Sequence, residues 1–286
     1  MHGNLDYVDP MDWRQFLIVV NKLADNFNYG TDKSPFLGSG VEYVQSRQYQ
    51  YGDPVRSIDW RVTARTGKVF VKEFESPKQM PCYLMIDTSA SMLVSSQLRN
   101  KYATALHIAG GLAFACLERV SPVGIQTTGS DDYQVEPSLS KDQILQWLHH
   151  LRRYTMNQQS VLGTRLSQLC ARLKNRTLII VISDMHEPAA LNSLKIAAQL
   201  HDIAVIQLRD PGERELGGTG FFRAREPETG REFVTHGNRE WTDPTVLNQE
   251  LKRRQIDHLL IDIDEPFAHK IRWFFQSRGS LGNGAR

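Results

Sequence analysis

The feature that most constrains the fold is an unbroken run of five apolar residues, Leu178–Ile182. A short apolar run rich in β-branched residues predicts a strand buried on both faces, which is typical of parallel sheets. The alternation of such runs with helical patterns predicts an α/β fold, with a mostly parallel central sheet and helices on both faces. Similar short runs occur at 83–87, 122–128, 203–208 and 258–263.

Two stretches interrupt this alternation and define the expected domains of the 286-residue chain. Residues 1–80 carry a helical pattern around 13–27 followed by Gly/Ser-rich and strand-like sequence, which predicts an N-terminal α+β annex. Residues 81–278 form the sheet domain, with a hairpin insertion at about 211–240. Residues 279–286 are small and polar and predict a flexible tail.

Composition excludes several classes of protein. The chain has 34 basic and 32 acidic residues, which is too even to indicate nucleic acid or an anionic membrane as partner from net charge. Cys82, Cys116 and Cys170 lie far apart and form no C-x-x-C pair, so we expect reduced, largely buried thiols. No apolar run approaches the ~18 residues of a membrane span, and the N-terminus lacks the pattern of a secretory signal. We therefore expect a cytoplasmic protein.

Oxygen-bearing side chains follow the predicted strands. Asp87, Ser89 and Ser91 form a D-x-S-x-S loop after the first sheet strand, Thr164 opens a helix, and Asp184 ends the 178–182 run. Alternate residues of an extended loop point the same way, and the carboxyl ends of parallel strands share one edge. Carboxylate and hydroxyl oxygens suit a hard cation, so the set predicts a Mg²⁺ site, with Mn²⁺ or Ca²⁺ as substitutes. The alternative is that these residues are ordinary capping residues.

In its order along the chain, Asp87-x-Ser89-x-Ser91, then Thr164, then Asp184 resembles the metal-ion-dependent adhesion site (MIDAS) of von Willebrand factor A domains. The resemblance implies a Rossmann-like sheet flanked by helices. It also implies that the metal binds a protein partner, whose acidic side chain completes the coordination.

Longer motifs elsewhere in the chain resemble a more specific family. The segment 47–60 reads RQYQYGDPVRSIDW, followed by ARTGK at 64–68 and VKEFE at 71–75; DPGEREL stands at 210–216 and PETG at 227–230. Together they resemble the domain-of-unknown-function family fifty-eight. This resemblance implies a non-enzymatic protein that works with MoxR-type AAA+ ATPases, or their clients, in chaperone-like or complex-maturation roles. The signature residues are Tyr51, Gly52, Asp53, Arg56, Asp59, Trp60 and Arg65.

The second and third metal loops carry residues that could touch a partner. Many relatives have Gly-Thr-Asp where this chain has Arg165 after Thr164. A guanidinium there would repel a cation slightly but attract an acidic partner. His186 and Glu187 follow Asp184 and are either partner-binding residues or solvated loop residues.

Two other functions remain open. A metal-bound water beside Asp184 and Glu187 would suit a phosphoester hydrolase, although the chain has no Walker-type phosphate loop. Basic and aromatic residues interleave at 47–72, which could bind single-stranded nucleic acid. We favour a structural role for this segment and therefore expect no nucleic-acid partner. In that interpretation Trp60 anchors the annex on the sheet domain, and Asp59 pairs with Arg56 or with neighbours. Residues 69–74 would then pair with the 82–87 strand.

Overall fold

The computed structural model describes residues 11–28, 42–53, 55–75, 80–129, 133–154, 160–213, 221–225, 232–236 and 244–280. The helices are α1 (Trp13–Asn28), α2 (Trp60–Thr66), α3 (Lys101–Glu118), α4 (Lys141–Arg152), α5 (Leu162–Arg172), α6 (Ala190–Leu200), α7 (Pro244–Arg253) and α8 (Ala268–Ser280). The strands are β1 (Glu42–Gln48), β2 (Phe70–Glu75), β3 (Cys82–Ile86), β4 (Val123–Thr127), β5 (Gln134–Ser138), β6 (Leu178–Ser183), β7 (Asp202–Arg209), β8 (Phe221–Arg225), β9 (Glu232–His236) and β10 (Asp257–Asp262).

The mixed α/β fold is confirmed, and its central sheet has six strands in the order β10-β7-β6-β3-β4-β5. All neighbouring pairs are parallel except β4 and β5, which are antiparallel. The edge strand β5 was not predicted, because QVEPS alternates only weakly and its residues are mostly half-buried. The continuous burial of β6 agrees with its central position.

The alternating side chains of each strand bury two separate apolar clusters. Leu84 and Ile180 point into one cluster with α1, α3, α4 and α8, while Met85 and Val181 point into the other with α5, α6 and α7. Helices therefore cover both faces of the sheet, as the sequence predicted.

Helix α1 packs in the same core as the sheet domain, although the sequence placed it in the annex. Its buried residues lie against α3, where close approach depends on two glycines. A Cβ atom at Gly110 would lie 2.9 Å from Val20, and one at Gly111 would lie 2.8 Å from Phe27. The sheet domain therefore includes residues upstream of the predicted boundary at 80.

Residues 42–75, called the signature unit below, contain β1, α2 and β2. β2 pairs antiparallel with β1, so the expected pairing of 69–74 with the 82–87 strand is wrong. Trp60 is 67% exposed, which also overturns its expected role as an anchor. A Trp followed by Arg is equally typical of the exposed start of a short helix. The local sequence therefore does not distinguish a buried anchor from an exposed helix start.

The insertion after β7 contains two antiparallel strands, β8 and β9, paired from Phe221 and His236 to Arg225 and Glu232. This pairing fits the predicted hairpin, whose tip at 226–230 lies outside the described residues. The expected tail overlaps α8, which continues to Ser280, and 281–286 also lie outside. Among the described helices, none has the length and apolar character required to cross a membrane.

Candidate functional site at the carboxyl ends of β3 and β6

The loops after β3 and β6 leave the sheet in opposite directions. The chain continues from β3 to α3 on one face and from β6 to α6 on the other, although the two strands are neighbours. A crevice forms where adjacent parallel strands diverge in this way, and it is the usual ligand site of open α/β sheets. Asp87 and Asp184 both lie at this point, and the Asp87 amide donates to the Ile182 carbonyl at 3.0 Å.

Asp87 is buried and held by hydroxyl and amide donors. Its Oδ1 accepts from the Ser89 amide at 3.0 Å and from Thr128 Oγ1 at 3.1 Å, while Oδ2 accepts from Ser183 Oγ at 2.5 Å. Burial and the nearby charge of Asp184 raise the pKa of Asp87, against the opposing effect of the hydrogen bonds from Ser183 and Ser89. In the described part of the chain, Asp87 is therefore held by hydroxyl and amide donors and forms no ion pair with a basic side chain.

The hydroxyls of the D-x-S-x-S loop also converge. Ser89 Oγ and Ser91 Oγ share a hydrogen bond at 3.0 Å, and both residues are buried. Thr88 turns away and accepts from the Gly129 amide at 2.9 Å, which ties the loop to the end of β4. Asp87, Ser89, Ser91 and Asp184 are called the strand-end site below.

Asp184 pairs with a buried lysine that the sequence analysis did not identify. Lys101 Nζ lies 2.9 Å from Asp184 Oδ2 and also donates to Glu213. Burial alone would raise the pKa of Asp184, but the Lys101 ammonium, with His186 and Ser91, lowers it below its usual value. Asp184 and Asp87 are thus neighbouring carboxylates with different surroundings. The signal for Lys101 is faint in the sequence, since a lysine at a helix start is normally solvated.

His186 is a partly exposed neighbour of Asp184. Its Nδ1 lies 3.4 Å from Asp184 Oδ2, and its side chain is 37% exposed. Its amide donates to Asp184 Oδ1 at 3.3 Å. His186 therefore links the buried Asp184 carboxylate to the surface of the protein.

The predicted ligand Thr164 stands exposed in the first turn of α5. Glu187 holds this turn: it accepts from the Leu162 amide at 2.7 Å and from the Gly163 amide at 3.2 Å. A Cβ atom at Gly163 would approach Glu187 Oε1 to 3.1 Å, so glycine permits this contact. The Glu187 carboxylate thus joins the second and third loops instead of being solvated.

The side chain of Arg165 forms hydrogen bonds with the end of β4 and within α5. Its Nε donates to the Gly129 carbonyl at 3.2 Å, and one terminal nitrogen donates to Gln168 at 3.2 Å. These bonds tie α5 to the end of β4. Arg165 therefore has a positioning role in this structure.

Asp210, in the D-P-G-E segment after β7, fastens the loop that leads from the strand-end site to α3. It accepts from Ser95 Oγ at 2.5 Å, from the Ser96 amide at 2.9 Å and from the Gly212 amide at 2.8 Å, and Ser96 Oγ donates to it as well. Although burial alone would raise the pKa of Asp210, these donors lower it. The segment thus supplies both a loop clamp, Asp210, and a partner for Lys101, Glu213.

Both acidic signature residues, Asp53 and Asp59, form hydrogen bonds or ion pairs within the signature unit. Asp59 caps α2 through the amides of Arg61 and Val62 and accepts from Ser46 Oγ at 2.7 Å. Asp53 pairs with Arg47 at 2.7 Å.

The remaining signature residues divide between turn positions and the surface. Gly52 and Gly67 have positive φ angles of 106° and 69°, which glycine adopts without strain. Tyr51 and Arg65 are exposed. The side chain of Arg56 lies outside the described part of the chain.

The amino-acid sequence of this chain is similar to those of two mycobacterial proteins. The chain is 25% identical over 227 residues to the uncharacterized protein Rv1480 of Mycobacterium tuberculosis, covering 77% of this chain and 72% of that one. The uncharacterized protein Mb1516 of Mycobacterium bovis matches to the same extent.

Two solved structures cover most of their own chains in the comparison. The conserved hypothetical protein BatB from Bacteroides thetaiotaomicron matches with a TM-score of 0.46 and 18% identity, over 70% of this chain and 99% of that one. An uncharacterized membrane spanning protein from Vibrio fischeri matches with a TM-score of 0.24 and 13% identity, over the same shares.

The signature unit from residue 45 onward, the strand-end site and the D-P-G-E segment lie in the part of the chain that matches a family model. That model, described as "Protein of unknown function DUF58", matches residues 45–245. The chain belongs to the DUF58 family.

Proposed function

We propose that this protein is a metal-dependent protein interaction module with a von Willebrand factor A-type fold. In this proposal Asp87, Ser89, Ser91, Thr164 and Asp184 hold a Mg²⁺ ion, directly or through water. An acidic side chain of a partner protein then completes the coordination. The partner is a MoxR-type AAA+ ATPase or its client, and the module itself catalyses no reaction.

The observation that supports the metal most strongly is the pair of serine hydroxyls beside Asp87. Neighbouring ligands of an octahedral Mg²⁺ ion with bonds of ~2.1 Å lie ~3.0 Å apart. Ser89 Oγ and Ser91 Oγ are separated by 3.0 Å. Two hydroxyls beside one carboxylate therefore have the chemistry and spacing of adjacent ligands.

The small number of carboxylates fits magnesium better than a closed structural site. In the described part of the chain, no group of three or more His, Cys, Asp or Glu side chains could hold a metal. Mg²⁺ keeps several waters and needs only one or two carboxylates. A Mg²⁺ ion held mainly by hydroxyls and water would keep a net positive charge and attract a further carboxylate from outside the chain.

The ATPase partnership rests on the family resemblance of the motifs, and it is tested by partner capture. Immobilised wild-type protein should retain a MoxR-type ATPase in Mg²⁺, release it on addition of chelator, and recover it when Mg²⁺ is restored. Asp87→Ala should not retain it. Asp59→Asn, which alters a buried carboxylate in the signature unit, is the matched control and should behave as wild type. Retention that ignores chelator would contradict the proposal.

A second candidate function, binding of single-stranded nucleic acid, is favoured by one observation. Tyr51 is fully exposed and Trp60 is 67% exposed, beside the exposed cations Arg61, Arg65 and Lys68. Asp53 and Asp59, which are close to these residues in sequence, are engaged within the signature unit. Aromatic faces beside cations can stack and pair with a single strand.

Salt dependence distinguishes this candidate from the first. Binding to a fluorescent single-stranded oligonucleotide should weaken steeply with salt and be lost in Trp60→Ala, but be unaffected by Asp87→Ala. Absent or salt-insensitive binding would eliminate it. A phosphoester hydrolase acting through the same metal remains a third proposal, to be tested by turnover of a generic phosphoester.

A further inference from the structure

Lys101 is one of the most deeply buried charged residues described in the chain. Its side chain is 1% exposed and contacts two carboxylates, Asp184 at 2.9 Å and Glu213. Lys101 is the first residue of α3. The preceding residue, Asn100, caps the helix, because its side chain accepts a hydrogen bond of 2.7 Å from the Ala103 amide. The ammonium is therefore held in place by the helix as well as by its partners.

A buried ammonium is stable only where anions surround it, and buried carboxylates need a cation in the same way. Asp184 is 2% exposed, so in the absence of a divalent ion its charge has to be balanced from within the protein. Lys101 and a bound metal would therefore serve the same carboxylate. Two cations that share one carboxylate also repel each other across a few ångströms.

We propose that Lys101 is the resident cation of the strand-end site: it neutralises Asp184 when no divalent ion is bound and competes with Mg²⁺ for that carboxylate. Glu213 moderates the competition, because it is a second carboxylate that holds the same ammonium. This inference deepens the proposed metal-dependent function and rests on it. Its consequence is a site that stays folded without metal and binds Mg²⁺ more weakly than its oxygen donors alone would allow.

Isothermal titration of the full chain with MgCl₂ tests the competition through Kd. Lys101→Met removes the competing cation and should tighten Mg²⁺ binding by about tenfold or more. Glu213→Gln leaves Lys101 to Asp184 alone and should weaken binding. Lys101→Arg keeps the charge and should stay close to wild type.

A charge-balanced double variant covers both the folding risk and the effect of net charge. Lys101→Met with Glu213→Gln removes one positive and one negative charge, so the net charge of the chain is unchanged. If Lys101 competes specifically for Asp184, the double variant should still bind Mg²⁺ more tightly than wild type. Circular dichroism of each variant shows whether it is folded before titration.

The outcomes separate this inference from the proposed function. If wild type binds Mg²⁺ and both Lys101→Met variants bind no more tightly, the inference is overturned and the metal site stands. If wild type shows no binding but Lys101→Met gains it, the lysine is confirmed as the competitor and Mg²⁺ is removed from the wild-type function. If no variant binds Mg²⁺, both proposals fail.

Discussion

The strand-end site and the signature unit are both built from motifs that contain Asp and Ser, but their polar residues have different surroundings. In the strand-end site the polar residues are buried: Asp87 is 1% and Ser89 0% exposed. In the signature unit Asp53 and Asp59 satisfy a turn and a helix cap, and Tyr51 and Trp60 are exposed. Buried polar groups are costly unless they are paired or hold a ligand. The strand-end groups meet this cost through hydrogen bonds and the ion pair with Lys101, so any metal there has to replace part of an existing network.

The largest expected effect on stability comes from the clamp beside the strand-end site. Asp210→Ala removes four hydrogen bonds to one buried carboxylate, so we expect a loss of ~2–4 kcal/mol in the free energy of unfolding. Urea denaturation of the two proteins measures this loss. A loss below ~0.5 kcal/mol would show that the loop after β3 does not depend on the clamp.

Asp210 should also make the free energy of unfolding depend on pH. Hydrogen bonds lower the pKa of Asp210 in the folded protein, so its contribution is fully present above the unfolded pKa of about 4. The contribution is lost as the pH falls through the lower folded value. The stability difference between wild type and Asp210→Asn should therefore be constant near neutrality and shrink below about pH 4. A difference that grows on acidification would contradict this assignment.

The two helix caps offer a smaller test of the same contrast. Glu187→Ala frees the first turn of α5 and should cost ~1–2 kcal/mol, and it should weaken the Mg²⁺ response, because Thr164 lies in that turn. Asp59→Ala frees the first turn of α2 and should lower stability less, with an unchanged Mg²⁺ response. Thermal unfolding with and without MgCl₂ compares the pair. Equal metal responses in the two variants would break the contrast.

The smallest effect is expected at the surface of the signature unit. Trp60 is 67% exposed, so Trp60→Ala should change the free energy of unfolding by no more than ~0.5 kcal/mol. A denaturation curve of the variant measures this directly. A larger loss would mean that Trp60 is covered in solution and would restore its predicted role as an anchor.

The alternation of strands and helices was predictable because buried parallel strands read as continuous apolar runs, of which β6 is the clearest. The weakly patterned β5 was not, and neither was the pairing of β2 with β1, since register and partner depend on contacts distant in sequence. Asp87, Ser89, Ser91 and Asp184 could be placed together from their positions after neighbouring strands.

The residues around that set were harder to assign. Lys101 comes from a helix start and Glu213 from the D-P-G-E segment, and only the three-dimensional fold brings them to Asp184. Glu187 and Arg165 carry charges that the sequence alone could equally assign to solvent or to a partner. Their hydrogen bonds to backbone groups of neighbouring loops support a positioning role, and partner binding by either residue stays a prediction.

The most direct test of the central claim is the shift in Tm on addition of MgCl₂ to wild type and to Asp87→Ala. At a Mg²⁺ concentration of 100 times Kd, binding to the folded state alone adds about 2.7 kcal/mol, which is a shift of several degrees for a chain of this size. We predict that shift in wild type and in the control Asp59→Asn, and none in Asp87→Ala. No shift in wild type, or an equal shift in Asp87→Ala, would contradict a metal site at the ends of β3 and β6.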